Sequence, residues 1–538
     1  MPQDVAQRII RQYSDLKVAR SGFENEWKSI SDYALGRRSF MRDKEIQGRK
    51  KNIHIFDATF QQAADALTAE IQSQLISSAS QWFDLAPEDP RALEDEAAQL
   101  WYKEVTKTMF SAFNHPEGGF APQSHEMLFD VVSFGTGGYF VGDIPGKGIF
   151  FSARPLTEIF ATLSAEGRVN GVFRRYFLKT QQAKEQFGDK AGPAIDRAFK
   201  NNDLLQEWEF VQAIMPRENS GGFGSKGMPI AAIDVNVEAG RIVNESGFHE
   251  MPYSVPMWSR DNGETYGRGP GLSALPTAKV LNRMQRTKLI AAEKAADPPL
   301  LVHDDGMISP VRTQPGGQNI VRNLPGGAQP LQYLDSHARV DITDNEIAAH
   351  QEMIRGFFFH ELIQGSVDDP RMSATQVLEI SGKTARRIGP MLFRLQVQWL
   401  EPTITRVFGL MDRAGQFPEP PPSVAGQNIK IDYVSPASRA QQNSEVQSVM
   451  GVVGAGIEWS QVNPDVLDNL DFDKSLRALG SAFPGALDIL RTSGEVRQIR
   501  DAKNQAAAAA AQQAQTAADA EALGKAAPAL QALQGGVG

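Results

Sequence analysis

The sequence contains no cysteine in its 538 residues, which excludes disulfide bonds, thiolate nucleophiles and zinc–thiolate sites. It also contains no uninterrupted apolar run near the roughly 20 residues that a helix needs to span a bilayer. The N-terminal stretch MPQDVAQRIIRQYSDL is amphipathic and lacks the apolar segment of a signal peptide. We therefore expect a protein that is made or assembled in a cytoplasm and has no membrane partner.

The sequence has fewer basic than acidic residues: 55 lysine and arginine residues against 64 aspartate and glutamate residues, which gives a formal net charge of -9 at pH 7. This balance argues against a surface that grips nucleic acid all over through counterion release, but it leaves room for a local basic stripe. Hydrophobic residues make up 41% and charged residues 22%, which is typical of a globular chain. At about 100–200 residues per domain, the length predicts roughly two to four domains.

No arrangement of catalytic or metal-binding side chains stands out. The eight histidines have no metal spacing, and the HELIQ stretch has Gln364 where a zinc protease has its second histidine. The acid pairs Asp304-Asp305 and Asp368-Asp369 lack the third carboxylate of a paired-metal nuclease. We expect no catalytic residue, no metal site and no cofactor.

Two glycine-containing stretches look like nucleotide-binding motifs. SGKTARR, beginning at Ser381, ends like a phosphate-binding loop, but that loop needs a glycine where this chain has Val377. The apolar periodicity around it predicts a helix interior, whose N–H groups are already bonded to carbonyls. YGRGPG, beginning at Tyr266, has Leu272 where a dinucleotide motif has its third glycine, and Pro270 fits an ordinary turn into a helix. An ATP site is therefore disfavoured.

The order of elements predicts an α+β, mainly helical fold. Helical patterns come first, and short β-branched and aromatic runs between Gly and Asn turns follow over about 136–255. Helices predicted at 271–296 and about 342–362 bracket an extended segment rich in Gly and Pro. A further helix from about Ser373 to Ala414 is expected to kink at Gly389-Pro390. The Ala/Gln-rich C-terminus favours helix.

Taken together, these stretches resemble a known family, the portal or head-to-tail connector proteins of short-tailed bacteriophages of the T7-like type. The resemblance covers most of the chain and is informative about fold, but it carries no catalytic fingerprint. It rests on three stretches: FDATFQQAADALTAEIQSQL, ETYGRGPGLSALPTAKVLNRM and DDPRMSATQVLEISGKTARRIGPMLFRLQVQWLEPTI.

The resemblance implies a portal-protein fold, assembled as a ring around a central channel. The implied regions are a wing at 1–268 and 415–437, stem helices at 269–298 and 338–362, a clip at 299–337, a tunnel loop at 363–374, a long kinked helix at 375–414, a crown at 438–505 and a C-terminal helical barrel or tail at 506–538.

The same resemblance implies a structural function without enzyme activity. A homo-oligomeric ring, typically a dodecamer, would sit at the portal vertex of a virion capsid after assembly in the host cytoplasm. Double-stranded DNA would pass through the channel during packaging and ejection, in weak and sequence-independent contact. The implied partners are terminase and then a tail adaptor protein, together with capsid, scaffolding and internal core proteins.

Basic side chains in the third stretch are the candidate DNA contacts. At 100° per residue, Lys383, Arg387 and Arg394 fall within about a 40° arc roughly opposite an apolar stripe, and Arg386 lies one step beside them. Arg371 joins this candidate channel set. Two interpretations stay open: a channel surface that touches DNA phosphates, and a solvated helix face that forms intersubunit salt bridges.

Two polar segments complete the candidate sites. The tunnel loop would form a constriction, and the clip would dock terminase and then the adaptor. The candidate residues are Gln364, Gly365, Asp368 and Asp369 in the tunnel loop, and Gln314, Gln318, Asn319, Arg322 and Asn323 in the clip.

Two alternative functions compete with the portal. A nucleotide-dependent DNA-packaging or DNA-processing enzyme would need the phosphate loop or the carboxylate cluster that the sequence lacks. Another capsid or tail ring would assemble without touching DNA. The Ala/Gln-rich tract over Asn504–Leu533 leaves two further alternatives: a frayed tail, or a helical barrel of parallel copies above the crown that faces the capsid interior.

Overall fold

The computed structural model divides the chain into two compact units. One unit comprises Met1–Glu88 and Trp101–Tyr433, and the other comprises Asp89–Leu100 and Val434–Gly538. The residues that the structure describes are 2–36, 54–76, 81–88, 95–144, 146, 148–217, 227–302, 310–313, 318–321, 331–333, 340–360, 388–424, 429–433, 450–459, 465, 471–473, 475–476, 491 and 493–534.

The architecture is mostly helical with a smaller proportion of sheet, which confirms the mainly helical α+β prediction at that level. The helices are α1 (Pro2–Tyr33), α2 (Thr59–Leu75), α3 (Glu96–Phe113), α4 (Phe120–Phe134), α5 (Thr180–Phe187), α6 (Pro193–Lys200), α7 (Pro270–Ala296), α8 (Val340–Phe357), α9 (388–413), α10 (450–459) and α11 (Ser493–Gln534). The strands are β1 (Phe83–Pro87), β2 (Tyr139–Ile144), β3 (Gly148–Ala153), β4 (Ile159–Leu163), β5 (Val169–Lys179), β6 (Glu207–Pro216), β7 (Ile230–Asn236), β8 (Arg241–Phe248), β9 (Tyr253–Ser254), β10 (Leu300–Val302), β11 (Leu331–Tyr333) and β12 (Ile429–Tyr433).

A five-stranded antiparallel sheet of order β4-β5-β6-β7-β8 carries helices on both faces. Consecutive residues of a strand point to opposite faces, so Phe210 and Val211 of β6 belong to different cores. Helix α1 covers the Val211 face with Ile9 and Tyr13. Helices α5 and α6 cover the Phe210 face, for example with Ile195. Full burial of one such side chain contributes about 1.5–3 kcal/mol.

Strand β4 forms one edge of this sheet, and side chains bond to backbone groups along that edge. Nη1 of Arg20 donates to the carbonyl oxygens of Leu156 at 2.8 Å and Ile159 at 2.5 Å. The backbone N–H of Ala161 donates to the Tyr266 hydroxyl at 3.3 Å. Arg20 has no exposed surface, so its hydrogen bonds form away from water.

A second sheet, of order β3-β2-β9, shares an aromatic core with α4 and α9. The Phe120 ring centroid of α4 lies 4.7 Å from that of Phe113, 5.0 Å from Phe151 and 6.3 Å from Trp399 of α9. Edge-to-face and offset pairs of this kind add about 0.5–1.5 kcal/mol each beyond the burial of their area. The aromatic cluster therefore fixes α9 against the wall formed by α4 and β3.

Burial also controls the ionisation of the tyrosines. The loss of hydration on burial raises the pKa of most of the nine tyrosine hydroxyls above the ordinary value, with neighbouring carboxylates adding to the effect at some of them. The tyrosines with a raised pKa are Tyr13, Tyr102, Tyr139, Tyr176, Tyr253, Tyr266 and Tyr433.

We expect cooperative unfolding in alkali as a result. A pKa raised in the folded state stabilises the fold below the unfolded pKa of about 10. For each such tyrosine, the stabilisation falls by about 1.4 kcal/mol for every pH unit above the unfolded pKa. Tyrosinate absorbance should therefore rise together with the loss of circular dichroism. The expectation fails if all tyrosines ionise near their ordinary pKa while the circular dichroism is unchanged.

The unit that contains the C-terminus includes the long helix α11, at 42 residues on the order of 63 Å. Its six consecutive alanines begin at Ala506, and the side chains over 501–518 are exposed. Within the same unit, Arg500 forms a bidentate ion pair with Asp473, through N–O distances of 2.6 and 2.9 Å. The helical propensity predicted for the C-terminal tract is confirmed, and the association of copies into a barrel stays a prediction.

Candidate interface on a helical hairpin

Helices α7 and α8 pack against each other as an antiparallel hairpin, and a short ribbon joins their far ends. Strands β10 and β11 of the ribbon pair antiparallel, with Leu300 opposite Tyr333. Between them, the Asn319 side chain holds the backbone of Arg312 through two hydrogen bonds: Oδ1 accepts from N at 2.7 Å and Nδ2 donates to O at 2.9 Å. The predicted extended segment between two helices therefore contains a β-ribbon.

Two polar side chains fix the base of the hairpin. Asn282 of α7 is buried, and its Oδ1 accepts from the backbone N–H of Phe56 at 2.6 Å while its Nδ2 donates to the carbonyl of Tyr33 at 2.9 Å. The carboxylate of Asp57 accepts from Nε2 of Gln351 on α8 at 2.7 Å. Both helices are thus tied to the segments that end α1 and begin α2.

The YGRGPG turn leads into α7 and packs backbone to backbone against the end of α4. A Cβ atom on Gly271 would overlap the carbonyl oxygen of Ser133 and lie 2.8 Å from its carbonyl carbon. Gly135 has φ +87, and a Cβ there would lie 2.6 Å from the nitrogen of Gly269. Because only glycine fits such an approach, the glycines serve close packing. Pro270 opens the helix, which confirms the predicted turn into a helix.

The outer face of α7 carries a basic stripe that points away from α8. On the α8 side, Lys288 forms an ion pair with Asp344. At 100° per residue, the stripe lies within about an 80° arc centred roughly opposite Lys288. Arg283, Arg286 and Lys294 of the stripe are exposed and form no ion pair among the described residues. Lys279 is half-buried, and its Nζ lies 5.1 Å from the ring centroid of Tyr33 on α1. The stripe consists of Lys279, Arg283, Arg286 and Lys294.

The face of α8 that points away from α7 is acidic and apolar. Ile347 and Ile354 of α8 are buried, whereas Glu346 on the far side is exposed. On that same far side, 57% of the surface of Met353 and 40% of that of Phe357 are exposed. The hairpin therefore presents two chemically different outer faces.

Helix α9 includes a π-helical turn at Gln396–Leu400, which ends two residues before Pro402. A wider turn accommodates a proline, which supplies no N–H and crowds the preceding turn. On this helix, Gln398 accepts from the backbone N–H of Met257 at 2.9 Å, and Arg394 donates to the carbonyl of Trp258. Gly389 and Pro390 lie in helical backbone, but the preceding residues lie outside the described ranges, so the kink predicted there stays a prediction.

The structure describes only part of the residues predicted as DNA or partner contacts. Arg394 is half-buried on α9. The predicted tunnel loop and the first part of the predicted long helix, up to residue 387, lie outside the described ranges. In the clip, Gln318 and Asn319 are exposed. The predicted residues outside the described ranges are Arg371, Lys383, Arg386, Arg387, Gln364, Gly365, Asp368, Asp369, Gln314, Arg322 and Asn323.

The basic stripe on α7 is absent from the residues predicted from the sequence, although a signal for it exists. Helix α7 contains five basic residues and one acid, Glu293, and four of the five recur at helical spacing. Within the described ranges, no cluster of three or more histidine or carboxylate side chains could hold a metal ion. None of the described helices combines the length and the apolar character that crossing a bilayer requires.

The chain is similar in sequence to known phage proteins. The portal protein of Salmonella phage epsilon15 is 27% identical over 538 residues, which cover 98% of this chain and 95% of that protein. The probable portal protein of Bordetella phage BPP-1 is 28% identical over 480 residues, which cover 87% of this chain and 85% of that protein. A chain in the virion of a native gene transfer agent particle is a distant structural neighbour, with a TM-score of 0.35 at 13% identity over 74% of this chain and 85% of that chain. The family model for bacteriophage head to tail connecting protein matches residues 6–490. This chain therefore belongs to the family of bacteriophage head-to-tail connecting proteins.

Proposed function

We infer that this chain is a structural portal connector, and we propose that copies of it form a closed ring at one vertex of a phage capsid. The ring is the channel through which double-stranded DNA is packaged and later ejected. The observation that carries this proposal is the connector-family match over residues 6–490, nearly the whole chain. The names of the two curated relatives, portal protein and probable portal protein, support it.

The exposed apolar surface of the hairpin and ribbon supports self-assembly. Leu289 of α7, Leu301 of β10 and Met353 of α8 each expose half or more of their surface, and Ile320 between the strands exposes 59%. A group of exposed apolar side chains on neighbouring elements is typical of an interaction site. Head-to-tail contacts between copies close into a ring when the rotation between neighbours closes. In this arrangement the two helices form the stem, and the ribbon forms the clip.

The channel holds DNA weakly, since a conduit that bound each phosphate tightly would stall its cargo. Arg394 and the basic residues around Lys383 are the proposed contacts, with Asp368 and Asp369 at the constriction. The clip docks terminase and then a tail adaptor, through residues that include Asn319. Capsid, scaffolding and internal core proteins are the remaining partners, and parallel copies of α11 extend the channel. Assembly takes place in the host cytoplasm, and the finished ring resides in the virion.

Purified chain is expected to assemble into closed rings, because the apolar faces of the hairpin are buried only between copies. Mass photometry should show one dominant oligomer, and cryo-EM should show cyclic symmetry around an open channel. Only monomer at micromolar concentration across a range of salt would contradict the ring. A ring without an axial channel would contradict the conduit while leaving the connector family unaffected.

A further inference from the structure

The hairpin of α7 and α8 leaves the helices that surround its base at the level of Asn282. Helix α7 packs there against α1, α2 and α4, and its buried side chains end with Leu281 and Asn282. Every later side chain of α7 is half-buried or exposed. Residues 283–296 therefore form the projecting part of α7, and the direction of this part depends on how α7 is held at its level of exit.

The carboxylate of Asp57 contacts both helices of the hairpin at this level. Its Oδ2 accepts from Nε2 of Gln285 on α7 at 3.4 Å and from Nε2 of Gln351 on α8 at 2.7 Å. Its Oδ1 accepts from the backbone N–H of Thr59 at 2.8 Å, which fixes the carboxylate at the first turn of α2. One carboxylate thus joins α7 and α8 to α2, and the bond from the Phe56 N–H to Asn282 lies beside it.

Helix α7 has a weak point between its two attachments. The first attachment is the close backbone approach of Gly271 to Ser133 on α4. Pro276 then lies inside the helix, where a proline supplies no N–H and crowds the preceding turn. Helices bend at such residues. The direction of α7 beyond Pro276 therefore depends on the second attachment, at Asn282 and Gln285.

We propose that Asp57 is a positioning residue, which sets the direction in which the hairpin projects. Between Pro276 and Asn282 the buried apolar side chains of α7 are Ala278 and Leu281, and apolar burial has no preferred direction. Hydrogen bonds require their donors and acceptors to align, so bonds from both helices to one carboxylate fix their orientation. In the proposed ring the hairpin is the stem, so Asp57 also sets the width of the channel. That consequence rests on the proposed function, whereas the positioning does not.

Distances between spin labels test the positioning, and the absence of native cysteine leaves only the introduced label sites. Lys17→Cys on α1 and Lys294→Cys near the end of α7 replace exposed residues. Labelled chain is diluted with unlabelled chain, so that pulsed EPR measures distances within one chain. Asp57→Ala should shift or widen the distance distribution by about 4 Å. The reason is that a movement of about 2 Å at Gln285 doubles at Lys294, because these residues lie about 14 and 27 Å beyond Pro276.

A second variant separates positioning from folding. The double substitution Gln285→Leu and Gln351→Leu removes the bonds to both helices but keeps the bond from Thr59 to Asp57, so it decides the question even if Asp57→Ala does not fold. It should change the distance distribution as Asp57→Ala does. Gln7→Leu, the same change at an exposed position of α1, is the matched control and should leave the distribution as in the wild type.

The outcomes separate positioning from stability and from the proposed function. A double variant that unfolds at a lower temperature but keeps the wild-type distances would show that these bonds only stabilise the fold, and the positioning role falls. If the wild type forms no ring, the proposed function falls, while the distances still decide the positioning. If the distances change but cryo-EM of the variant rings shows a channel of wild-type width, only the consequence for the channel falls.

Discussion

Replacing Gly271 by alanine is expected to cost at least about 3 kcal/mol of unfolding free energy and to leave little folded chain. The new Cβ would overlap the carbonyl oxygen of Ser133, and the nearest atoms all belong to backbone, which cannot rotate out of the way. The turn into α7 would have to move away from α4, and the base of the hairpin would move with it. Thermal unfolding followed by circular dichroism, with the soluble yield, measures the effect.

Gly22→Ala is the matched control for this change. Gly22 lies inside α1, and a Cβ there would meet nothing within 4 Å. Alanine in a helix interior is favoured over glycine by about 0.5–1 kcal/mol, so this variant should be slightly more stable than the wild type. Gly271→Ala with a midpoint equal to that of the wild type would refute the close approach between α4 and the turn.

Replacing Arg20 by methionine is expected to destabilise the fold by about 3–5 kcal/mol. The guanidinium forms an ion pair with Glu24 at 2.7 Å and lies 3.5 Å from the Phe160 ring centroid. Methionine fills similar space but donates no hydrogen bond, so the carbonyl oxygens of Leu156 and Ile159 lose a buried partner. The midpoint of denaturant unfolding should therefore fall sharply.

Arg8→Met in the same helix provides the comparison. Arg8 is exposed on α1, so the same change of side chain should alter the unfolding free energy by less than about 0.5 kcal/mol. Equal effects of the two substitutions would show that methionine in α1 matters more than the bonds to the edge of β4. Arg20→Lys should fall between the wild type and Arg20→Met, because a single ammonium group cannot reach all of the same acceptors.

Local patterns predicted the elements better than the contacts between them. The periodicity and the proline at its start predicted α7 to within one residue of Pro270–Ala296. The reason for the glycines at the same turn depends on α4, which lies over a hundred residues earlier in the chain. No local pattern shows such an approach. The π-helical turn before Pro402 depends likewise on a helix that continues on both sides of the proline.

The candidate site shows the same division. The sequence predicted basic contact residues around Lys383, which belongs to a phosphate-loop fragment, whereas the stripe on α7 has no motif. Its meaning depends on which side of α7 meets α8, and the Lys288–Asp344 ion pair sets that side. Periodicity gives the faces of a helix, but only the packing partner decides which face is left outside.

The bonded edge of β4 has a consequence for a chain that accumulates before it assembles. An open strand edge recruits other strands without limit, and a crowded pool of unassembled copies then grows into fibrous aggregates. Arg20 and Tyr266 occupy backbone groups of Ile159 and Ala161 on this edge, so these two residues offer no hydrogen-bonding template to another strand. Contacts between side-chain surfaces, by contrast, are reversible and stop when a ring closes. A copy that has bound in the wrong position can then dissociate and bind again.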